Sequence, residues 1–150
     1  MIKKIFFYVF LVVVGAVASQ YFLKDVAVRR PIEINDCNPF CFKTNEALGL
    51  LASIGVKYAP EYIPDKIYET DKTLAMVHPT AKTKHHYVII PKKDVKNIAE
   101  VAEEDKIYLL DAIAVIQRII ADRKLETYQV VTNGPGYQDV TYLHFHLVSE

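Results

Sequence analysis

The sequence predicts an α+β fold: a five-stranded, largely antiparallel sheet with one long helix and one short helix, preceded by an N-terminal transmembrane helix or signal segment. Three observations lead there. Runs rich in β-branched and aromatic residues, ended by turn residues, recur at 66–70, 73–78, 85–90, 127–132 and 140–148. Between 94 and 125 the apolar spacing changes to that of a helix. Strands with the helices segregated to one side indicate α+β architecture.

The first element is apolar. Lys3 and Lys4 precede residues 5–23, nineteen residues interrupted only by Gly15, Ser19 and Gln20. A helix of that length spans roughly 28 Å, which matches a bilayer core. Two readings stay open: a retained single-pass membrane anchor, or a signal peptide with its apolar region at 5–14 and the small-x-small run Ala16-Val17-Ala18, leaving a secreted or periplasmic domain. No face of the segment is polar, which argues against a core helix. Lysines and arginines flank it on both sides, so charge does not set the side of the membrane. Residues 1–23 are therefore read as anchor or signal, 24–36 as a linker broken by Pro31, and 37–150 as the domain.

The domain opens with Cys37 and Cys41, which suit a small-loop disulfide in an oxidising compartment and two reduced thiols in the cytosol. Leu48, Leu51, Ala52 and Val56 approximate helical spacing, giving the short helix. Residues 66–70 and 73–78 around Asp71-Lys72 form a hairpin, and 85–90 a third strand stopped by Pro91. In the long helix Leu109, Ile113, Ile116 and Ile120 make the inward stripe, with Asp111, Arg118 and Asp122 off it. Asn133-Gly134-Pro135-Gly136 is an obligatory turn between the last two strands.

Lys plus Arg and Asp plus Glu each number 18, so the chain advertises no general polyanion surface and nucleic acid is a poor partner. Two cysteines cannot supply a four-ligand metal site alone. The sharpest local feature is Tyr142-Leu143-His144-Phe145-His146-Leu147-Val148. In a strand Tyr142, His144 and His146 share one face, while Leu143, Phe145 and Leu147 face the core. Two imidazoles so spaced can be a metal half-site, a nucleophile with its partner, or a solvated polar face.

This run resembles the histidine triad motif, His-φ-His-φ-His-φ-φ with φ hydrophobic, and the residues from Asn133 to Val140 resemble its lead-in of Asn, Gly and Gln-x-Val. Ile63-Pro64, the stretch from Ile67 to Asp71, and Leu74-Ala75 look like further elements of that family, as does the strand from His86 to Lys92. The matches run in order from about Cys37 to Val148 at close to the family's spacing.

The resemblance implies a nucleotide hydrolase or nucleotidyltransferase acting at an α-phosphate, with His144 forming a nucleotidyl-histidine that water resolves. It makes His146 a phosphate contact, His86 a further active-site histidine, and Asn133, Gln138, Tyr142 and Gly136 nucleotide or phosphate contacts. It implies a homodimer, no cofactor and, for this chain, no metal. Four departures are visible: Tyr142 replaces the first triad histidine, Asp139 stands at a usual serine, His78 aligns with the usual ribose-binding Asp, and the cysteines are spaced Cys-x-x-x-Cys. Some members hold zinc with Cys-x-x-Cys and two histidines; those histidine positions align with Asp94 and Tyr142. Two rival readings follow: a catalytically degenerate nucleotide-binding module, and a hydrolase of lipid-linked nucleotides at the membrane.

Overall fold

The computed structural model describes residues 2–23, 25–33 and 41–150. Helix α1, Ile2–Leu23, is long and apolar enough by length and composition to cross a membrane. Side chains such as Phe6, Phe10 and Val12 are exposed along it. It packs no apolar face inward, unlike a helix that belongs to a soluble core.

Residues 25–33, although mixed and charged in composition, are tied to the rest of the chain. Lys57 pairs with Asp25 at 2.8 Å, Ala27 donates its backbone N–H to Asp94 at 2.8 Å, and Pro31 accepts from the Lys43 amide at 2.8 Å. A two-stranded ribbon then forms from β1, Ile32–Glu33, and β2, Cys41–Phe42. Cys41 is disulfide-bonded, while Cys37 lies outside the described residues.

Helix α2 runs over Thr44–Tyr58 and buries Gly49, Ser53 and Val56. It leads to β3, Lys66–Glu69, β4, Thr73–Val77, and β5, His85–Pro91. Helix α3, Lys106–Arg123, precedes β6, Gln129–Val131, and β7, Phe145–Ser149. The strands form one sheet in the order β3-β4-β5-β7-β6, antiparallel throughout. The α+β class and the five antiparallel strands are as the sequence predicts. The last strand is shorter than the expected 140–148, because residues 140–144 leave the ladder and are held by other bonds.

Period two along β5 sorts its side chains. Tyr87 and Ile89 turn to a core formed with Ala75, Leu147 and the α3 residues Ala112, Val115, Ile116 and Ile119. Leu74, Ile89, Ile119, Leu143 and Leu147 are fully buried, each worth roughly 1.5–3 kcal/mol relative to an exposed position. The inward stripe of α3 is thus rotated from the expected one: Ile116 is buried, but Ile113 is 47% exposed and Ala112 takes the place beneath it. Two alanines, Ala75 and Ala112, lie wholly inside, so the helix sits close to the sheet through small residues that a reading by side-chain size passes over. Helix α3 ends where Lys124 adopts a left-handed conformation and returns its N–H to Ile120 and Ala121.

Candidate active site

The other face of the sheet carries imidazoles. β5 places His86 on that face, and the pairing of Val88 with His146 and of His86 with Val148 brings His146 alongside it. His86 Nε2 and His146 Nδ1 lie 3.0 Å apart, a hydrogen bond in which one ring donates and the other accepts. His144 stands edge-on to His146, with ring centroids 4.8 Å apart. His78, just beyond β4, stacks on His86 at 4.1 Å with planes inclined by 13°. His78, His144 and His146 border a cavity of about 510 Å³ whose walls include Leu48 and Ala52 of α2, Met76, Val88 and Ile90 of the sheet, and Val140, with His86 behind His146. Among the described residues no carboxylate lines it.

The tautomer of His144 follows from geometry. Its Nδ1 lies 2.6 Å from the backbone oxygen of Tyr142, and a carbonyl only accepts, so Nδ1 carries the proton. The Nε2 lone pair is then free, as a nucleophile requires. His146 titrates far below the ordinary imidazole range, at about 4, chiefly through burial and then through the nearby His144, His86 and His78, with Asp139 opposing weakly. Burial, followed by His78, also lowers His86. Both rings are thus uncharged near neutrality.

That depression fixes the sign of a pH effect. Between the unfolded value of 6.5 and the folded value of about 4, the unfolded chain takes up a proton that the folded site excludes, so stability declines as pH falls through that window. Thermal melts from pH 7 to pH 4 are expected to show a falling midpoint, and His146→Gln is expected to flatten the slope. An equal slope in the variant would assign the acid sensitivity to other groups.

The remaining sequence candidates fall in two places. Tyr142 borders the cavity but is 2% exposed, and its phenol donates to the Pro91 carbonyl at 2.9 Å. Burial, then Asp94, pushes that phenol well above its usual range, so it stays protonated and its donor is spent on backbone. Gly136 and Gln138 line a separate cavity with Asn45, Lys96 and Asn97, where Gln138 donates to the Lys96 carbonyl at 2.8 Å. Gly136 supplies a turn with φ of 87°. Asn133 is half-buried in the turn before β7 and does not line the histidine cavity. His85 points away from His86 and meets the Tyr87 hydroxyl at 3.0 Å. His78 is the member that sequence reasoning did not name as a site residue; its signal was its place two residues beyond Met76, continuing the cavity-facing alternation of β4.

Two donor sets bear on metals. His78, His86 and His146 offer ring nitrogens within 4.8 Å of one another. Three of their six nitrogens are already bonded: His78 Nδ1 accepts from the Thr80 amide, and His86 Nε2 and His146 Nδ1 bond to each other. The near-parallel stack of His78 on His86 also directs the in-plane lone pairs of those two rings along parallel planes, which do not converge on one cation. The positions that the resemblance aligns with zinc-binding histidines, Asp94 and Tyr142, do not fit a metal either. Asp94 is filled by Arg29, bonded at 2.6 and 2.7 Å, and Tyr142 is committed to Pro91.

A model of the HIT domain family matches residues 60–150. The chain belongs to the HIT domain family. Among curated HIT relatives, the adenosine 5'-monophosphoramidase of Saccharomyces cerevisiae is 33% identical over 102 residues, which cover 65% of this chain and 61% of that protein. The chain thus spans less than two thirds of that relative. A HIT-like protein of Chlamydia trachomatis is 30% identical over 87 residues, 56% of this chain and 78% of the other. Among solved structures, a HIT family hydrolase from Legionella pneumophila aligns with a TM-score of 0.57 at 27% identity, covering 63% of this chain and 88% of that one. A histidine triad nucleotide-binding protein from Candida albicans aligns with a TM-score of 0.55 at 27% identity, covering 65% and 73%. The family expected from the residues around His144 and His86 is the family found.

Proposed function

We infer that this HIT domain hydrolyses a nucleotide at its α-phosphate, cleaving a phosphoramidate or phosphoanhydride bond through His144. The observation that carries the reading is the His144 Nδ1 proton held by the Tyr142 carbonyl, which leaves a nucleophilic Nε2 beside neutral His146 and His86 at an apolar cavity. In the first step Nε2 attacks phosphorus, and the bond to the amine or phosphate leaving group breaks with its electron pair passing to that group. A proton from water neutralises the leaving group. Water then attacks the same phosphorus, the phosphorus–nitrogen bond returns its pair to Nε2, and a nucleoside monophosphate departs as the spare proton is released.

Two features support a nucleotide. The yeast relative's name assigns it action on an adenosine monophosphoramidate, and the cavity joins an apolar wall suited to a base with imidazoles suited to phosphate. The test is to incubate the full chain in detergent with nucleotides labelled at the α-phosphorus, quench, and look for label on histidine. Label on the wild type and none on His144→Ala is the expected result. Nucleotide bound without adduct or turnover would instead make the domain a binding module, a reading favoured by the phenol that occupies the first triad position.

The reading places α1 in a membrane as a single-pass anchor, so the substrate search includes lipid-linked nucleotides. Release of the nucleoside monophosphate from a CDP-lipid in vesicles, compared with release from an adenosine phosphoramidate, separates the two leaving groups.

It also has two copies pairing through α3 and the edge strand. Leu110 and Ile113 are 66% and 47% exposed on α3, and Val130 and Val131 are exposed on β6, which among the described residues is an edge of the sheet. Leu110→Asp combined with Ile113→Asp is expected to halve the protein mass in detergent measured by light scattering. An unchanged mass would remove the dimer through this face.

A further inference from the structure

The backbone that carries His144 is held by the segment that follows α1. Residues 140–144 lie outside the sheet ladder, yet the imidazole of His144 is aimed by the Tyr142 carbonyl within that same stretch. The stretch needs other supports. Leu143 donates to the Val95 carbonyl, the Thr141 amide donates to Asn45, and the Tyr142 phenol donates to Pro91. The Thr132 hydroxyl donates to the His144 carbonyl at 2.8 Å, and a further support comes from far away in sequence: Arg29 donates from Nε and Nη2 to the Thr141 carbonyl at 3.0 and 2.7 Å.

Arg29 is seated in a built site. Its five N–H groups make five bonds: two go to Thr141 O, two to the Asp94 carboxylate at 2.7 and 2.6 Å, and one to the Ala27 carbonyl at 3.2 Å. Asp94 also accepts from the Ala27 amide and from the Ser53 hydroxyl. The side chains of the pair are 1% and 4% exposed, so neither charge is repaid by water. Gly49 of α2 makes room for the guanidinium, since a Cβ there would stand 2.6 Å from Arg29 Nε and 2.7 Å from Thr141 O. A planar fork that bridges a carboxylate to a carbonyl is a task for arginine and not for lysine.

We propose that Arg29 is a positioning residue of the active site, and that residues 25–31 form part of the scaffold that aims His144 at its substrate. The proposal rests on the reading of His144 as nucleophile. Through Thr141 O, Arg29 fixes the peptide that joins Thr141 to Tyr142; the next carbonyl along the chain orients the His144 ring. Releasing that peptide lets the ring swing and exposes Nδ1 and Nε2 to exchange of the proton. A shift of about 1 Å at such a group costs ~100-fold in rate.

The test uses the full chain in detergent and three variants. Arg29→Ala is expected to lower kcat about 100-fold with little change in KM, and guanidinium ion added at millimolar concentration is expected to restore part of kcat. Arg29→Lys is expected to remain slow, because a point charge cannot bond both partners. Arg29→Met with Asp94→Leu removes both buried charges together; it is expected to fold and to melt above either single variant yet stay slow. Side-chain nitrogen NMR of His144 supplies a readout independent of turnover. In the wild type Nδ1 holds the proton, and in the double variant the ring is expected to show averaged tautomers.

Wild-type kcat in the double variant, or a His144 ring whose resonances do not move, would overturn the proposal and leave Arg29 as a fold-stabilising residue. If the wild-type chain turns over no nucleotide, the proposed function fails; the His144 tautomer in the double variant then decides the positioning role alone.

Discussion

Replacing His144 with alanine is expected to lower turnover by roughly 10³-fold or more while leaving nucleotide affinity within a few-fold of the wild type. The reasoning is specific to this ring. His146 and His86 are bonded to each other through the nitrogens that face one another, whereas His144 spends only Nδ1, on a backbone carbonyl. The cavity wall contributed by Met76, Val88 and Ile90 is untouched by the substitution, so a base that packs there keeps its contacts. The measurement pairs steady-state rates on an adenosine phosphoramidate with calorimetric binding of the nucleoside monophosphate. Loss of both together would mean that His144 acts in binding, and an unaltered rate would move the nucleophile elsewhere.

Removing the carboxylate of Asp94 is expected to have the largest effect on stability. Asp94→Ala leaves the Arg29 guanidinium charged, 1% exposed and without its counter-ion, a loss of about 3–5 kcal/mol for a buried pair with one partner deleted. The Ser53 hydroxyl and the Ala27 amide lose their acceptor at the same stroke. A fall in the melting midpoint of roughly 10 °C is expected by circular dichroism. The partly exposed pair of Lys57 with Asp25 offers the internal control: Asp25→Ala should cost no more than about 1 kcal/mol. Equal costs at the two positions would show that burial of the Arg29 pair does not set its strength.

Most of the sheet was legible because period two and turn residues are local signals. The hairpin around Asp71-Lys72, the β5 strand ending at Pro91, and the facing of His86 and His146 all follow from alternation within a few residues. The family was legible for a related reason, since its motifs are short runs in fixed order. What escaped were interactions between distant positions. Arg29 and Thr141 are 112 residues apart, and no periodicity links them. The stripe of α3 was displaced because Ala112 looks too small to mark a core face. The motif position of Gln138 implies a phosphate contact, whereas its amide donates to the Lys96 carbonyl in a neighbouring hollow.

The anchoring of Arg29 also sets a leash. Only six peptide steps separate Leu23, the last residue of α1, from the arginine, and at roughly 3.3–3.6 Å per residue they reach at most about 20 Å. With α1 embedded in a bilayer, the catalytic domain would patrol a thin layer above the lipid surface and could not wander into bulk solvent. Substrates confined to that surface would then be met by lateral diffusion, at a local abundance that no soluble relative of the same fold would experience.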